Sequence, residues 1–349
     1  MLRLLVFIAL FFGLSANAAS DTPPNYHAVG WLNTFVPGAG EFLLGDYTLG
    51  ATQAALEVSS FWIGYNMAGR NSLTLDGIPE SLPSPDLVTL SSATKKSVCI
   101  QRDSTGKCTK FRTVTTTKRT TTGGGEQDIS TPLIADILQE FGIKYHMVNV
   151  FNSYREAAKA NNVTENIDQT STKDLFLAPF NPDVITDPWV WAPLAITGGA
   201  LVANYLISIK DNAIAPVAKF KGISNPLYAF NYALMYPTGS GAPEEMFYRG
   251  FLQNEFQHVV DSPYFSITAS TLAYAFSHSV DERPTAAVTG LFLGFLTYRE
   301  HGQLSKGIAY HFWADLMAGI AQLATVRYAQ SEVASSSSSP ATILFQTEF

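Results

Sequence analysis

Two adjacent carboxylates and an arginine stand among apolar and aromatic residues in the segment Pro243-Glu244-Glu245-Met246-Phe247-Tyr248-Arg249-Gly250. Pro243 suits the first position of a helix, because its missing N–H needs no partner there. Glu245 and Arg249 would then lie four residues apart on one helix face, close enough to pair. Glu244 and Glu245 would fall in the first turn, where the helix dipole favours ionised carboxylates.

Apolar segments flank this acidic cluster on both sides, over residues 226–236 and 264–276. Taken alone, an E-E-x-x-x-R string is usually a surface ion pair. Ionisable residues at membrane depth are costly, however, and by default they mark a functional site. The flanking segments therefore favour a functional site over a surface pair.

The composition is typical of a membrane protein. Of the 349 residues, 46% are hydrophobic and only 15% are charged, whereas soluble proteins carry about 25% charged residues. The net charge of −7 indicates no particular partner, and no basic patch interleaved with aromatic residues occurs. We therefore expect membrane lipid, and no nucleic acid, as a partner.

The first eighteen residues are interpreted as a signal peptide. Arg3 supplies a positive charge, residues 4–14 are apolar but too short to span a bilayer, and Ala16-Asn17-Ala18 is an A-x-A cleavage site. The alternative is an uncleaved anchor helix. We exclude residues 1–18 from the fold.

Residues 19–68 are predicted to form a membrane hairpin, or a re-entrant segment followed by one span. Gly45 and Gly50 follow a segment rich in helix breakers, and small residues at such a spacing let helices approach closely in lipid. Glu57 interrupts the span and is expected to have a buried scaffold role.

Residues 69–130 are polar and are predicted to form a loop or flexible linker. Eight lysines and arginines between Lys95 and Arg119 favour the cytoplasmic side, but this rule weakens for long loops. Cys99 and Cys108 could close a small disulfide in an exported loop. A single cysteine pair with no nearby histidine is a poor metal site. We therefore expect an exported loop.

The rest of the chain is interpreted in three parts. Residues 131–185 are predicted to form an amphipathic helix followed by a loop. Residues 186–326 contain the apolar helices, of which 189–209 is the cleanest transmembrane candidate. Residues 327–349 are predicted to be a disordered tail. The expected fold class is all-α, a polytopic transmembrane helical bundle.

Two further polar pairs follow the acidic segment. His278 comes four residues after Tyr274, and His311 and Asp315 are four residues apart in the last helix. Each pair alone is weak evidence, because a histidine in an apolar helix is usually a packing residue and the second pair could be a buried hydrogen bond. Three apolar helices that each carry ionisable residues are expected to converge on one site.

With these motifs the sequence resembles the CPBP intramembrane proteases, a family that includes the CAAX prenyl endopeptidases and bacterial bacteriocin-processing or self-immunity proteins. The family signature is E-E-x-x-x-R, then F-x-x-x-H, then H-x-x-x-N or D. Here it reads Glu244-Glu245…Arg249, Tyr274…His278 and His311…Asp315. The resemblance covers residues 242–319 and leaves residues 19–185 unexplained.

The resemblance implies a mechanism for peptide hydrolysis. Glu244 would be the general base and, with His278, would hold the attacking water. Glu245 and Arg249 would pair, fixing the helix and orienting Glu244.

By the same resemblance, His311 and Asp315 would lie near the developing oxyanion, to which a suitably protonated His311 can donate. Many members carry Asn where this chain has Asp315, and an ionised Asp cannot donate a hydrogen bond. Asp315 could instead orient His311 or ligate a metal. Glu244, His278, His311 and Asp315 are an acceptable ligand set for zinc, although the H-E-x-x-H zinc motif and the G-x-S-x-G elbow are absent.

The expected function is that of an intramembrane endopeptidase, with several spans in the bacterial inner membrane, acting on a membrane-associated peptide or protein. The signal peptide makes a prenylated CAAX substrate the less favoured choice. One alternative is a catalytically inactive scaffold or partner-binding protein of the same fold, and another is a transporter with a buried proton relay. No internal repeat supports the transporter, and Glu244, His278 and His311 favour the enzyme over the scaffold.

Overall fold

A computed structural model describes residues 22–68, 89–102, 106–121, 127–128, 130–210, 220–221, 226–280 and 282–336. The signal peptide expected at 1–18 lies outside these residues. Helices dominate the described part of the chain, so the predicted helical fold class is confirmed there, with one long hairpin and two short strands as the exceptions.

The helices fall into two groups along the chain. The first group comprises α1 (Tyr26–Phe35), α2 (Ala39–Leu43), α3 (Tyr47–Ala68), α4 (Ser130–Ala160), α5 (Thr172–Leu177), a 3-10 turn (Ala178–Phe180) and α6 (Pro182–Ile185). The second group comprises α7 (Pro188–Lys210), α8 (Pro226–Phe230), a π-helical turn (Asn231–Met235), α9 (Tyr236–Glu244), a π-helical segment (Glu245–Leu252), α10 (Gln253–Val260), α11 (Pro263–Phe276), α12 (Arg283–Arg299) and α13 (Ser305–Ser336).

An antiparallel hairpin occupies much of the segment predicted to be a loop, so that prediction was wrong there. Its strands are β1 (Thr89–Arg102) and β2 (Cys108–Thr121), and two short parallel strands follow, β3 (Gln127–Asp128) and β4 (Phe220–Lys221). The polar composition concealed the high β propensity of its nine threonines. The cysteine side chains lie outside the described part, so the disulfide stays a prediction.

The helix α4 joins the N-terminal helices to the rest of the fold. Glu57 of α3 is buried. It accepts a hydrogen bond of 2.5 Å from Asn149 and lies 2.7 Å from Nδ1 of His146, both on α4. These contacts fix α3 against α4, which is the buried scaffold role expected of Glu57.

Another face of α4 packs against the helix that carries the acidic cluster. Phe151 is fully buried in a cluster with Met246 and Ile308, and the ring of Tyr154 meets that of Phe251 edge-on at 5.1 Å. Burying each such side chain stabilises the fold by about 1.5–3 kcal/mol. The N-terminal region, which the family resemblance leaves unexplained, is therefore packed directly onto the acidic helix.

A buried carboxylate fixes the start of α13. Asp168 is fully buried and accepts hydrogen bonds of 2.7 Å from the backbone N–H groups of Leu304 and Thr170. Beside it, Gly302 has φ +86°, and a Cβ there would lie 2.1 Å from the carbonyl oxygen of Asn166. Only glycine fits this turn, which sets where α13 begins and hence where its histidine lies.

Two loop or tail predictions need correction. The predicted loop before residue 185 contains short helices, because Ser171 and Asn181 act as N-caps that accept hydrogen bonds from backbone N–H groups. The predicted disordered tail was wrong over 327–336, where α13 continues through good helix formers such as Ala, Gln and Glu. Residues 337–349 lie outside the described part.

None of the helices in the described ranges is both long and apolar enough to cross a membrane. The polytopic part of the predicted fold class is therefore not confirmed.

Candidate active site

The acidic pair lies in the middle of a continuous helical segment. The helix α9 begins at Tyr236 and runs without a break into the π-helical segment Glu245–Leu252. The prediction that Pro243 starts a helix was therefore wrong. Proline removes one backbone hydrogen bond and crowds the preceding turn of a regular α-helix, and wider π-helical turns follow it here. Such turns occur frequently at functional sites.

The predicted pair of Glu245 and Arg249 is formed inside the protein. Both side chains are fully buried, and Nη1 of Arg249 donates a hydrogen bond of 2.9 Å to Oε1 of Glu245. The guanidinium group lies 4.4 Å from the centre of the Tyr274 ring, and Nη2 donates to the carbonyl of Gly290 at 3.4 Å. Since a buried charge is tolerated only when paired, this pair anchors the helix in one orientation.

His311, on α13, lies at the centre of the acidic groups. Its Nδ1 lies 2.8 Å from Oε1 of Glu245. Its Nε2 lies 3.3 Å from the hydroxyl of Tyr274, 3.5 Å from Oδ2 of Asp315 and 3.7 Å from Oε2 of Glu244. Three carboxylates around one buried imidazole favour its protonated form.

Glu244 is held by a lysine from another part of the chain. Nζ of Lys144, on α4, donates a hydrogen bond to Oε1 of Glu244 and lies 3.7 Å from Glu140. Burial lowers the pKa of Lys144, but the charges of Glu244 and Glu140 outweigh it, so the pKa lies above its ordinary value. Oε2 of Glu244 is buried without a hydrogen-bond partner among the described residues.

Asp315 accepts a hydrogen bond from the hydroxyl of Ser240, on α9. An ionised carboxylate can only accept hydrogen bonds, so Asp315 is no oxyanion donor in this arrangement. Its closeness to Nε2 of His311 instead favours a role in orienting that ring.

His278 follows the last turn of α11, and its side chain is half-buried. Its Nδ1 lies 2.8 Å from the carbonyl oxygen of Tyr274, so this nitrogen carries the hydrogen and donates it. The two rings pack edge-on with centroids 4.5 Å apart. The ring also interacts electrostatically with Glu244. The structure thus joins His278 to the other predicted residues through Tyr274.

The four residues considered as zinc ligands do not fit a metal ion. The described ranges contain no group of three or more His, Cys, Asp and Glu side chains placed to hold one. Oε1 of Glu244 and Oδ2 of Asp315 already accept hydrogen bonds from Lys144 and Ser240, and the lysine ammonium would repel a cation. The arrangement of Glu244, His278, His311 and Asp315 therefore does not support the zinc interpretation.

A cavity of about 680 Å³ adjoins this network. Lys144, Ser240 and Pro243 form part of its wall, and the first two donate hydrogen bonds to Glu244 and Asp315. Cavities of this size are typical of ligand sites. The charged network therefore borders a space in which a substrate segment could bind.

Two side chains of the network were not predicted from the sequence. Lys144 shares a face of α4 with Phe141 and Val148 but also with Asp136 and Glu140, so from the sequence it looks like one member of an ordinary i,i+4 charge pair. Ser240 gave no signal, because a serine before the acidic pair is unremarkable. Neither could be placed without knowing how α4 packs on α9.

A comparison with family models matches residues 226–317 to a family described as Type II CAAX prenyl endopeptidase Rce1-like. No curated protein and no solved structure matches the chain significantly. The matched segment contains Glu244, His278 and Asp315. It does not contain Lys144, which lies in the part of the chain before residue 226.

Proposed function

Because the match over residues 226–317 supports membership of the CPBP family, a family of proteases, we propose that this protein is an endopeptidase with Glu244 as its general base. The family supports peptidase activity and a peptide or protein substrate. The roles of single residues, given next, are part of the proposal.

The observation that carries the proposal is the position of the unpartnered Oε2 of Glu244 beside Nε2 of His311; Oε2 of Glu245 is also without a partner in the described residues. The Glu244 oxygen is buried without a hydrogen-bond partner among the described residues, and it lies 3.7 Å from Nε2 of His311. A buried acceptor without a partner costs free energy, so a water molecule or a substrate group is expected beside it. A carboxylate oxygen there can take a proton from water.

The proposed reaction starts with a water molecule held by Oε2 of Glu244 and by His278. Glu244 takes one proton as the water oxygen bonds to the peptide carbonyl carbon, whose π electrons move onto its oxygen. The Nε2–H of protonated His311 donates to this oxyanion. Glu244 then gives the proton to the amide nitrogen, the C–N bond breaks, and the amine and the new carboxyl group leave.

Glu245 is proposed as a positioning residue in this reaction. Its Oε1 receives hydrogen bonds from both Arg249 and His311. Because Nδ1 of His311 is engaged there, Nε2 is directed toward Glu244. Asp315 is proposed to hold the same ring from the side of Ser240.

The membrane placement is also part of the proposal. We expect a multi-pass protein of the bacterial inner membrane, embedded in lipid, that cleaves a membrane-associated peptide or protein. Support comes from the chain's low content of charged residues, 15%, and from a family whose members are membrane proteases.

One contact favours the alternative of an inactive scaffold. The ammonium of Lys144 stabilises the ionised form of Glu244, which lowers its basicity. If this ion pair never opens, Glu244 is a structural residue. The scaffold is therefore the second candidate function.

A comparison of membrane peptides in cells tests the proposal. Cells that produce the wild-type protein, the Glu244→Gln variant or no protein are compared by mass spectrometry. We expect peptide fragments that appear only with the wild type, at equal amounts of inserted protein. Identical peptide profiles for the wild type and Glu244→Gln would favour the scaffold.

A further inference from the structure

One face of α4 lines the cavity over most of that helix. The lining residues recur at intervals of three and four from Asp136 to Glu156, which corresponds to a rise of about 30 Å. Lys144, the partner of Glu244, lies near the middle of this face. The cavity therefore extends to both sides of Lys144, while Glu244 itself does not form part of the wall.

The walls of the cavity are largely apolar. They include Leu49, Ile137, Phe141, Val148, Phe176 and Met235. A length of about 30 Å accommodates about nine residues of extended peptide at roughly 3.3 Å each. The shape thus suits an extended segment that passes Lys144, the partner of Glu244, near its middle.

The end of the cavity at Asp136 carries an uncompensated carboxylate. Oδ2 of Asp136 is buried without a hydrogen-bond partner, and no basic side chain of the described ranges pairs with this group. Burial, and then the charge of Glu140, raises the pKa of Asp136 to about 7. A positive charge placed beside Asp136 would offset the free-energy cost of its buried, ionised carboxylate.

The opposite end carries a second group of acceptors. Gly40 packs against Ser153, which places Glu41 near the C-terminal end of α4. Glu41 and Gln53 are 6% and 3% exposed, and Nε2 of Gln53 donates to Glu41 at 3.2 Å. Oε1 of Gln53 has no hydrogen-bond partner among the residues that the structure describes.

The nearby Arg155 does not donate hydrogen bonds to Glu41 or Gln53. Arg155 lines the same end of the cavity, but its donors bind the carbonyl of Thr170 and the side chains of Asn152 and Thr172. Within the described part of the chain, both ends therefore present buried acceptors without a paired cation. A hydroxyl group can satisfy one acceptor but leaves the carboxylate charge, whereas an ammonium or a guanidinium supplies several donors and a positive charge.

We propose that the cavity binds an extended, otherwise apolar peptide segment that carries a lysine or arginine about four residues from the bond placed at Glu244. The distance follows from α4: Asp136 lies eight positions from Lys144, about 12 Å along the helix axis, or roughly four extended residues. The basic side chain binds Asp136 or, on the other side, Glu41 and Gln53. This inference rests on the proposed function, whose substrate class it specifies.

Binding is measured first, without hydrolysis, on the full-length Glu244→Gln variant in detergent. The probes are two capped dodecapeptides of alanine, leucine and phenylalanine that differ only in a central lysine or norleucine. We expect at least tenfold tighter binding of the lysine peptide by fluorescence anisotropy. Equal affinities, or tighter binding of the norleucine peptide, would overturn the proposal.

Variants then locate the preference. Asp136→Asn combined with Glu41→Gln should abolish it, and Asp136→Lys with Glu41→Gln should reverse it toward a glutamate peptide. Glu156→Gln is the matched control, because Glu156 lines the same cavity but is 54% exposed and lies near Arg155. If Glu156→Gln reduces the preference as much as the double variant does, the preference is general electrostatics and the proposal is wrong.

Cleavage by the wild-type protein separates this proposal from the proposed function. A set of peptides with lysine moved one position at a time is digested and the cut sites are mapped. Glu244-dependent cleavage that is fastest with lysine about four residues from the cut supports both proposals. If cleavage depends on Glu244 but its rate does not depend on the position of lysine, the proposed substrate class is wrong and the proposed peptidase activity is retained. Lysine-selective binding without any cleavage keeps the basic-peptide site and rejects the peptidase.

Discussion

Glu244 and Glu245 are neighbours in the sequence but have different surroundings. Glu245 is fully buried and binds Arg249 and His311 through one oxygen. Glu244 binds Lys144 through one oxygen, and among the described residues its other oxygen has no hydrogen-bond partner. Oε2 of Glu245 also lacks a partner there. The two carboxylates differ in that Glu245 holds Arg249 and His311, whereas Oε2 of Glu244 lies 3.7 Å from Nε2 of His311.

Arg249→Ala should destabilise the protein strongly. Removing one member of a fully buried pair leaves an uncompensated charge, which typically costs about 3–5 kcal/mol. The free energy of unfolding should fall by about that amount, measured by thermal or denaturant unfolding in detergent. Arg299→Ala is the control, because the Arg299 side chain is 39% exposed and should lose at most about 1 kcal/mol. Equal losses for the two variants would contradict burial of the Glu245–Arg249 pair.

Lys144→Met should change the pH dependence of cleavage. The substitution keeps a long apolar side chain but removes the positive charge beside Glu244, so Glu244 becomes easier to protonate. The acidic limb of the pH–rate profile should move to higher pH by about one unit or more. Lys159→Met, at the exposed end of the same helix, should leave the profile in place. An unchanged acidic limb in Lys144→Met would show that Glu244 is not the titrating base.

At the scale of helices, α4 and the π-helical segment Glu245–Leu252 depend on close approach at one glycine. A Cβ at Gly250 would lie 2.5 Å from the ring of Phe151 and 3.1 Å from Leu304. Gly250→Ala should therefore destabilise the protein by about 1–3 kcal/mol through overpacking. Gly199→Ala is the control, because a Cβ at Gly199 meets nothing within 4 Å. A stable Gly250→Ala variant would contradict this packing of α4.

The cavity face of α4 should impose a pH-dependent cost in stability. Burial and the charge of Glu140 raise the pKa of Asp136 to about 7, above its unfolded value of about 3.9. The folded state therefore holds this proton more tightly, and its stability falls as pH rises from about 4 to about 7. The cost is at most about 4 kcal/mol.

Asp136→Asn should remove that cost. The variant should melt at a higher temperature than the wild type at pH 8, and the difference should shrink as the pH is lowered toward 4. Thermal unfolding of both proteins across this range measures it. A difference that does not vary with pH would mean that Asp136 is not buried as described.

For the molecule as a whole, the sequence predicted the helices and the charge pairs within one helix better than the contacts between distant helices. The pairing of Glu245 with Arg249 followed from their spacing on one helix face, because that contact is local. The contact between Lys144 and Glu244 was missed, because it joins residues 100 positions apart. The helix start at Pro243 was misplaced, because a local rule for proline does not anticipate a π-helical turn.

The most direct test of the central claim is peptide hydrolysis by purified wild-type protein and Glu244→Gln in detergent. A mixed peptide library is digested and the new termini are counted by mass spectrometry. We predict a rate about 10²–10⁴-fold lower for Glu244→Gln, with an unchanged unfolding temperature and with wild-type rates in a Glu165→Gln control, because Glu165 is exposed and lies outside the cavity wall. Equal rates for Glu244→Gln and the wild type would contradict the assignment of Glu244 as the general base.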